Sequence, residues 1–125
     1  MNIRNATMDD LEWIVELAKS HKRELGFVRR VSLEEAIRKE RLIVIDNGGG
    51  FCEFYTRQNG WTSVYAIVST VKGGGRALME SIKKPIRLSC PEDLESNGFY
   101  AHIGGERIGI FDGKKRRLVE WHWST

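Results

Sequence analysis

Apolar positions along the chain alternate between helical and strand periods, and each change marks a change of element. Leu11, Ile14, Val15 and Ala18 fall at i, i+3, i+4 and i+7, one stripe of an amphipathic helix. Thr7 opens that helix, with Asp10 at the reciprocal position of a capping box. The residues before it, Asn2 to Ala6, read as a short strand. Ser32 and Glu35 form a second capping box and open a short helix with Leu33, Ala36 and Ile37 on one face.

Strand patterns follow closely. Leu42 to Asp46 is closed by Asn47-Gly48-Gly49-Gly50, and Phe51 to Arg57 is closed by Asn59-Gly60, a strong two-residue hairpin signal. Trp61 to Val68 continues this meander with β-branched and aromatic residues. A helix is expected from about Gly75 to Lys83, with Leu78 and Ile82 one turn apart, then a buried strand from Ile86 to Ser89. Pro91 suits the first turn of a further short helix, with a turn at Asn97-Gly98 behind it. Arg107 to Phe111 and Arg116 to Trp123 frame Asp112-Gly113 as a final hairpin. The order β-α-α-β-β-β-α-β-α-β-β describes an α+β fold, with helices on a mixed, mostly antiparallel twisted sheet.

Length turns this pattern into a single expected domain, residues 1–125, large enough for a genuine core. No run of 18 apolar residues is present, so a spanning helix and a membrane role are not expected. The N-terminal ten residues lack the apolar stretch of a signal peptide. Cys52 and Cys90 are too few for a disulfide framework, and no Cys or His lies at zinc spacing, so neither a scaffold of bridges nor a metal is expected. A reducing cytoplasm is the expected compartment.

Twenty basic residues against 17 acidic ones give a net charge of +3, and their placement matters more than the sum. Lys114, Lys115, Arg116 and Arg117 are consecutive, and Lys22, Arg23, Arg29 and Arg30 form a second group. Such groups suit an anionic partner, whether nucleic acid or a phosphorylated cofactor, and they are also what a solvated turn or helix end looks like. Trp121 and Trp123 alternate with His122, so both indoles share one strand face, packed on a helix or lining an acceptor site. His102 and His122 have no visible acid or nucleophile partner and read as surface residues. The two cysteines read as small buried apolar groups.

Two segments carry candidate chemistry. In Thr70-Val71-Lys72-Gly73-Gly74-Gly75-Arg76-Ala77-Leu78 a strand runs through three glycines into a helix. Glycines let backbone amides approach a phosphate, the first helical turn offers free N–H groups, and Lys72 and Arg76 supply counter-charge. The spacing is neither that of a Walker loop nor that of a dinucleotide fingerprint. The other segment, Cys90-Pro91-Glu92-Asp93-Leu94-Glu95-Ser96-Asn97-Gly98-Phe99-Tyr100, shows by itself only a turn and an aromatic pair.

In this order the two segments resemble the GNAT superfamily of acyl-CoA N-acyltransferases, particularly its small single-domain bacterial and phage members. The family's phosphate motif has Arg or Gln, two residues, Gly, one residue, then Gly or Ala; Thr70, Gly73 and Gly75 occupy those places. Its later motif has Asn before Phe-Tyr and a glycine four residues on, matched by Asn97, Phe99, Tyr100 and Gly104. The resemblance implies acetyl-CoA or coenzyme A as cofactor and an amine of unknown identity as acceptor. It implies that the loop Val71, Lys72, Gly73, Gly74, Gly75 and Arg76 holds the pyrophosphate, chiefly through the amides of Val71, Gly73, Gly75 and Arg76. It further implies that Ile67 and Val68 pair with the pantetheine arm and that Asn97 touches it. Tyr100 would protonate the departing thiolate, since a phenol keeps its proton at neutral pH.

Three departures stand out. Thr70 replaces the usual Arg or Gln, Gly105 replaces an aromatic, and no carboxylate lies between Trp61 and Val68. Glu53, on the neighbouring strand, or an ordered water is then the candidate base. Two other readings of the same fold stay open: a nucleic-acid-directed protein using the basic C-terminal hairpin, and an inactive binding module. The exposed edge of the last hairpin suggests a monomer or weak homodimer.

Overall fold

A computed structural model describes residues 1–124. Seven strands form one sheet in the order β1-β2-β3-β4-β5-β7-β6: β1 Ile3–Asn5, β2 Leu42–Ile45, β3 Gly50–Thr56, β4 Thr62–Ser69, β5 Ile86–Pro91, β6 Glu106–Asp112 and β7 Arg117–Trp123. The helices are α1 Leu11–Ser20, α2 Lys22–Leu25, α3 Arg30–Arg38, α4 Gly74–Glu80 and α5 Ser96–His102. The α+β arrangement expected from the sequence is therefore present, with β4 and β5 parallel and the other registered pairs antiparallel. No helix among the described residues is long and apolar enough to cross a membrane. The chain divides into two compact units, Met1–Tyr55 with Tyr65–Ile82, and Thr56–Val64 with the residues from Lys83 onward.

In the first unit β2 pairs with β1 (Ile3↔Ile45 to Asn5↔Ile43) and with β3 (Leu42↔Glu53 to Ile45↔Gly50). The helical stripe Leu11, Ile14, Val15 and Ala18 is buried, as is the Leu33, Ala36 and Ile37 face of α3. Both stripes meet Leu42, Val44, Phe51, Ala66 and Val68 in one core.

Two helix starts differ from expectation. Thr7 leads into a single 3-10 turn, Met8–Asp10, and the α-helix begins only at Leu11. α3 begins at Arg30, so Ser32 lies inside it and caps nothing. The one-turn α2 carried no periodic signal at all.

Asp10 ties this unit's N-terminus together. Its carboxylate accepts the Thr7 amide at 2.8 Å, the Trp13 indole at 3.1 Å and both Arg4 Nη atoms at 2.8 and 3.0 Å. The Arg4 pair is the main reason its pKa lies well below the usual carboxylate range; burial opposes the shift. A depressed carboxylate pKa stabilises the fold above the unfolded value and loses that contribution as pH falls through the folded one. Asp10→Asn should therefore cost about 1–3 kcal/mol at neutral pH. The gap between the two proteins' thermal melts should close as pH falls below about 4.

In the second unit β5 runs parallel to β4 over Thr62↔Ile86, Ser63↔Arg87 and Val64↔Leu88. It then runs antiparallel to β7 from Ile86↔Trp123 to Pro91↔Leu118. Pro91 thus ends a strand and does not begin a helix, and Asn97-Gly98 lies within α5 and not in a turn. On β7 Val119, Trp121 and Trp123 are buried on one face, while Leu118, Glu120 and His122 are half-buried on the other. At the sheet edge, β6 carries an irregularity between Arg107 and Gly109, a common means of blunting exposed edges.

His122 is not the solvated residue its sequence context suggested. Its Nε2 lies 2.7 Å from Glu120 Oε2, and its ring packs at 4.7 Å from that of Trp61. Arg87 holds the other Glu120 oxygen at 2.7 Å. Cross-strand register explains the cluster, because Arg87 and His122 are directly opposed.

Candidate functional site

The first unit contains the glycine loop. β4 ends at Ser69, and the Ser69 hydroxyl brackets the next residues: it donates to the Val71 carbonyl at 2.8 Å and accepts the Val71 amide at 3.2 Å. Gly73 takes the left-handed conformation at φ 78° as the N-cap of α4, and the space where its Cβ would stand is open. Gly74 is different. A Cβ there would lie 2.1 Å from Ser69 Oγ and 2.8 Å from Ile45 Cδ1, so any larger residue would displace the Ser69 side chain that brackets the loop. Gly75 and Arg76 follow in the first turn of α4, where helix geometry leaves amides without an intrahelical acceptor. Gly74 and Gly75 are buried, while Val71, Lys72, Gly73 and Arg76 are exposed.

Of the amides the family resemblance assigned to a pyrophosphate, that of Val71 is already occupied by Ser69. Those of Gly73, Gly75 and Arg76 sit at a cap and first turn suited to an anion. Thr70 turns away from the loop: its amide donates to the Gly49 carbonyl at 2.9 Å, and its hydroxyl donates to the same carbonyl at 3.2 Å. Its role is to anchor the loop on the β2–β3 turn. Gly50 in that turn also answers a close approach, since a Cβ would fall 2.4 Å from the Val68 carbonyl. Ile67 is half-buried and Val68 buried on β4.

Glu53 is half-buried on β3, opposite Leu42. Burial raises its pKa and the positive charge of Arg41 opposes the rise. Arg41 also stacks on the Tyr55 ring at 5.3 Å and approaches Glu35 at 3.6 Å.

The second unit holds Asn97 and Tyr100. Asn97 Nδ2 donates to the carbonyls of Pro91 at 2.9 Å and Leu94 at 3.1 Å, and its Oδ1 accepts the Trp121 indole at 2.8 Å. Its amide is therefore engaged in joining the β5–α5 connection to β7. Tyr100 is 7% exposed, with its ring against Trp123 at 5.9 Å, Phe99 at 5.7 Å and Trp121 at 6.4 Å. Trp121 and Trp123 pack on α5, one of the two placements their alternation allowed. They also bear on Gly105: a Cβ there would lie 2.8 Å from Trp123, 3.1 Å from Trp121 and 2.8 Å from the Tyr100 carbonyl oxygen, so the position has no room for a side chain.

The basic hairpin is less basic in space than in sequence. Arg116 pairs with Asp93 at 2.8 Å and Arg117 lies 3.8 Å from Glu92, while Lys114 and Lys115 are exposed. Cys52 and Cys90 are both buried, and burial raises both thiol pKa values, so neither is a poised nucleophile.

Solved structures with this fold include acetyltransferases. A GNAT-family acetyltransferase from Bacillus cereus is 21% identical, with 99% of this chain and 96% of that chain covered at a TM-score of 0.78. Ard1 from Thermoplasma volcanium is 17% identical, with 98% and 95% covered at 0.79. A Mycobacterium tuberculosis protein in complex with CoA is 18% identical, with 92% and 78% covered at 0.69. No protein-family model and no curated protein matches the chain. At these identities the likeness establishes the fold, which is that of the GNAT acetyltransferases.

Proposed function

We propose that this chain is an N-acyltransferase that takes acetyl-CoA and an amine acceptor. The observation that carries the reading is the loop from Val71 to Arg76. An open left-handed glycine, first-turn amides and two exposed basic side chains together make a donor set that fits a diphosphate. The fold, and the CoA present in one protein that shares it, support the same reading.

Acetyl-CoA, when bound, supplies an acyl group already activated as a thioester. The chain's contribution is then to bind, orient and move protons. The amides of Gly73, Gly75 and Arg76 hold the diphosphate, with Lys72 and Arg76 adding charge. Backbone groups of Ile67 and Val68 would hold the pantetheine arm. Holding both reactants in register supplies much of the rate. Tyr100, fixed by three aromatic rings, gives its hydroxyl proton to the leaving thiolate. Glu53 accepts the amine's proton, a role that its burial-raised pKa favours.

Gly73→Val tests the loop. A β-branched residue at φ 78° costs about 1–2 kcal/mol, and its methyls would occupy the open space above the cap. Calorimetry should show coenzyme A binding weakened by about tenfold or more while the thermal melt remains cooperative. Wild-type affinity in a folded Gly73→Val protein would remove the loop from the cofactor site.

A further inference from the structure

The second unit carries a groove of about 320 Å³ lined by Glu92, Asn97, Gly98, Arg107, Val119 and Trp121. Strand register explains why it exists. Val119 and Trp121 point to the α5 side of β7, and Arg107 is paired with Trp121 on β6. α5 is only seven residues long and engages the indoles through Tyr100 and Asn97, and the groove lies beside it with Val119 and Trp121, both buried, at its floor. A volume near 320 Å³ is at the small end of ligand sites, which run from about 300 to 1,000 Å³.

The groove has three features that point to one class of ligand. Its floor is apolar, since Val119 and Trp121 are both buried side chains and the indole N–H is already taken by Asn97. Its charged residues are of opposite sign. Arg107 is exposed and makes no ion pair among the described residues, and exposed Glu92 has only a loose ion pair with Arg117 at 3.8 Å, without a hydrogen bond. Its wall is bare at Gly98. That residue lies inside a helix, where alanine is the more favourable choice, and a Cβ built on it meets nothing within 4 Å. Packing does not require glycine there.

We propose that this groove binds a small zwitterion of the amino-acid or dipeptide class. Its carboxylate pairs with Arg107, its ammonium pairs with Glu92, and its apolar portion rests on Val119 and Trp121. A ligand of single sign would meet one like charge in a space this small, so the mixed pair selects against simple anions and simple amines. Charge-assisted hydrogen bonds at both ends supply orientation, and the missing side chain at Gly98 leaves room for the ligand's backbone. Binding here does not depend on acyl transfer.

The test is an amide and indole N–H chemical-shift titration of the full chain with L-alanyl-L-alanine. N-acetyl-L-alanyl-L-alanine amide, which has neither charge, serves as the control. Saturable shifts at Gly98, Arg107 and the Trp121 indole with the free dipeptide only are the expected result. Arg107→Gln and Glu92→Gln should each weaken the dipeptide by about fivefold or more. Gly98→Leu should abolish the shifts while leaving a cooperative thermal melt. Absent or unsaturable shifts, equal shifts with the blocked dipeptide, or unchanged affinity in Arg107→Gln and Glu92→Gln would each overturn the proposal. Displacement of the dipeptide by coenzyme A would assign the groove to the cofactor and overturn it as well.

Discussion

Tyr100→Phe should lower turnover by about 10²-fold, and by as much as 10⁴-fold, while coenzyme A affinity stays close to that of the wild type. The ring is 7% exposed and packed on Trp121, Trp123 and Phe99, and phenylalanine keeps all of that contact area. What the variant lacks is one hydroxyl. If that hydroxyl gives its proton to the leaving thiolate, the loss appears in kcat and not in binding. Coenzyme A is a good leaving group even unassisted, which places the expected effect toward the lower end of the range. Release of free thiol from acetyl-CoA, followed with a panel of simple amines, gives the readout. Equal turnover in a folded Phe variant would make Tyr100 a core aromatic and nothing more.

The largest stability effect should come from Phe51→Ala, at about 3–5 kcal/mol. Phe51 is fully buried on β3 and meets the apolar stripes of α1 and α3 together with Ala66 and Val68 of β4. Removing the ring forfeits its transfer free energy and leaves a cavity that the surrounding branched residues can fill only partly. A domain of this size has roughly 5–15 kcal/mol in total, so the variant should lose from about a fifth to all of it. Its thermal midpoint should fall by roughly 10–20 °C. A drop of only a few degrees would mean that β3 is not central to the core.

The sequence showed some elements more clearly than others, for identifiable reasons. The α1 and α3 stripes and the β2–β3–β4 meander rest on long periodic patterns, and these appear where the periods placed them. Helix starts were less legible. Capping signals at Thr7 and Ser32 specify a hydrogen bond but not the residue at which α-geometry begins, and the 3-10 turn and Arg30 start lie within that latitude. Pro91 and Asn97-Gly98 misled because both are local turn signals overridden by pairing. Pro91 is placed by its register with Leu118, and Asn97 is drawn into a helix where its amide reaches Pro91, Leu94 and Trp121.

The candidate site was legible in the same uneven way. The glycine loop is contiguous, so its strand, three glycines and helix could be read locally, while its pyrophosphate role came from the family resemblance. The roles of Thr70 and Gly105 were not visible, because both depend on partners distant along the chain: the Gly49 carbonyl in one case, two indoles in the other. The Arg87–Glu120–His122 cluster lay out of sight for the same reason, since a strand register must be known before Arg87 and His122 can be placed opposite each other. The neutralisation of Arg116 by Asp93 likewise joins residues 23 apart in the sequence.

Asn97 also bears on how this protein ages. The chain has three Asn-Gly pairs, at 47–48, 59–60 and 97–98. Such pairs deamidate when the glycine nitrogen attacks the asparagine side-chain carbonyl and closes a succinimide ring. In α5 that attack is obstructed at both ends, because the Gly98 amide donates to the Glu95 carbonyl at 3.0 Å and the Asn97 side chain is held by Pro91, Glu92, Leu94 and Trp121. At 59–60 the Gly60 amide donates to the Arg57 carbonyl at 3.0 Å and Asn59 Oδ1 accepts the Trp61 amide at 3.1 Å, whereas Asn47 sits exposed in the β2–β3 turn. Slow chemical damage on storage therefore falls on the β2–β3 connection at Asn47 and spares the helix that carries Tyr100.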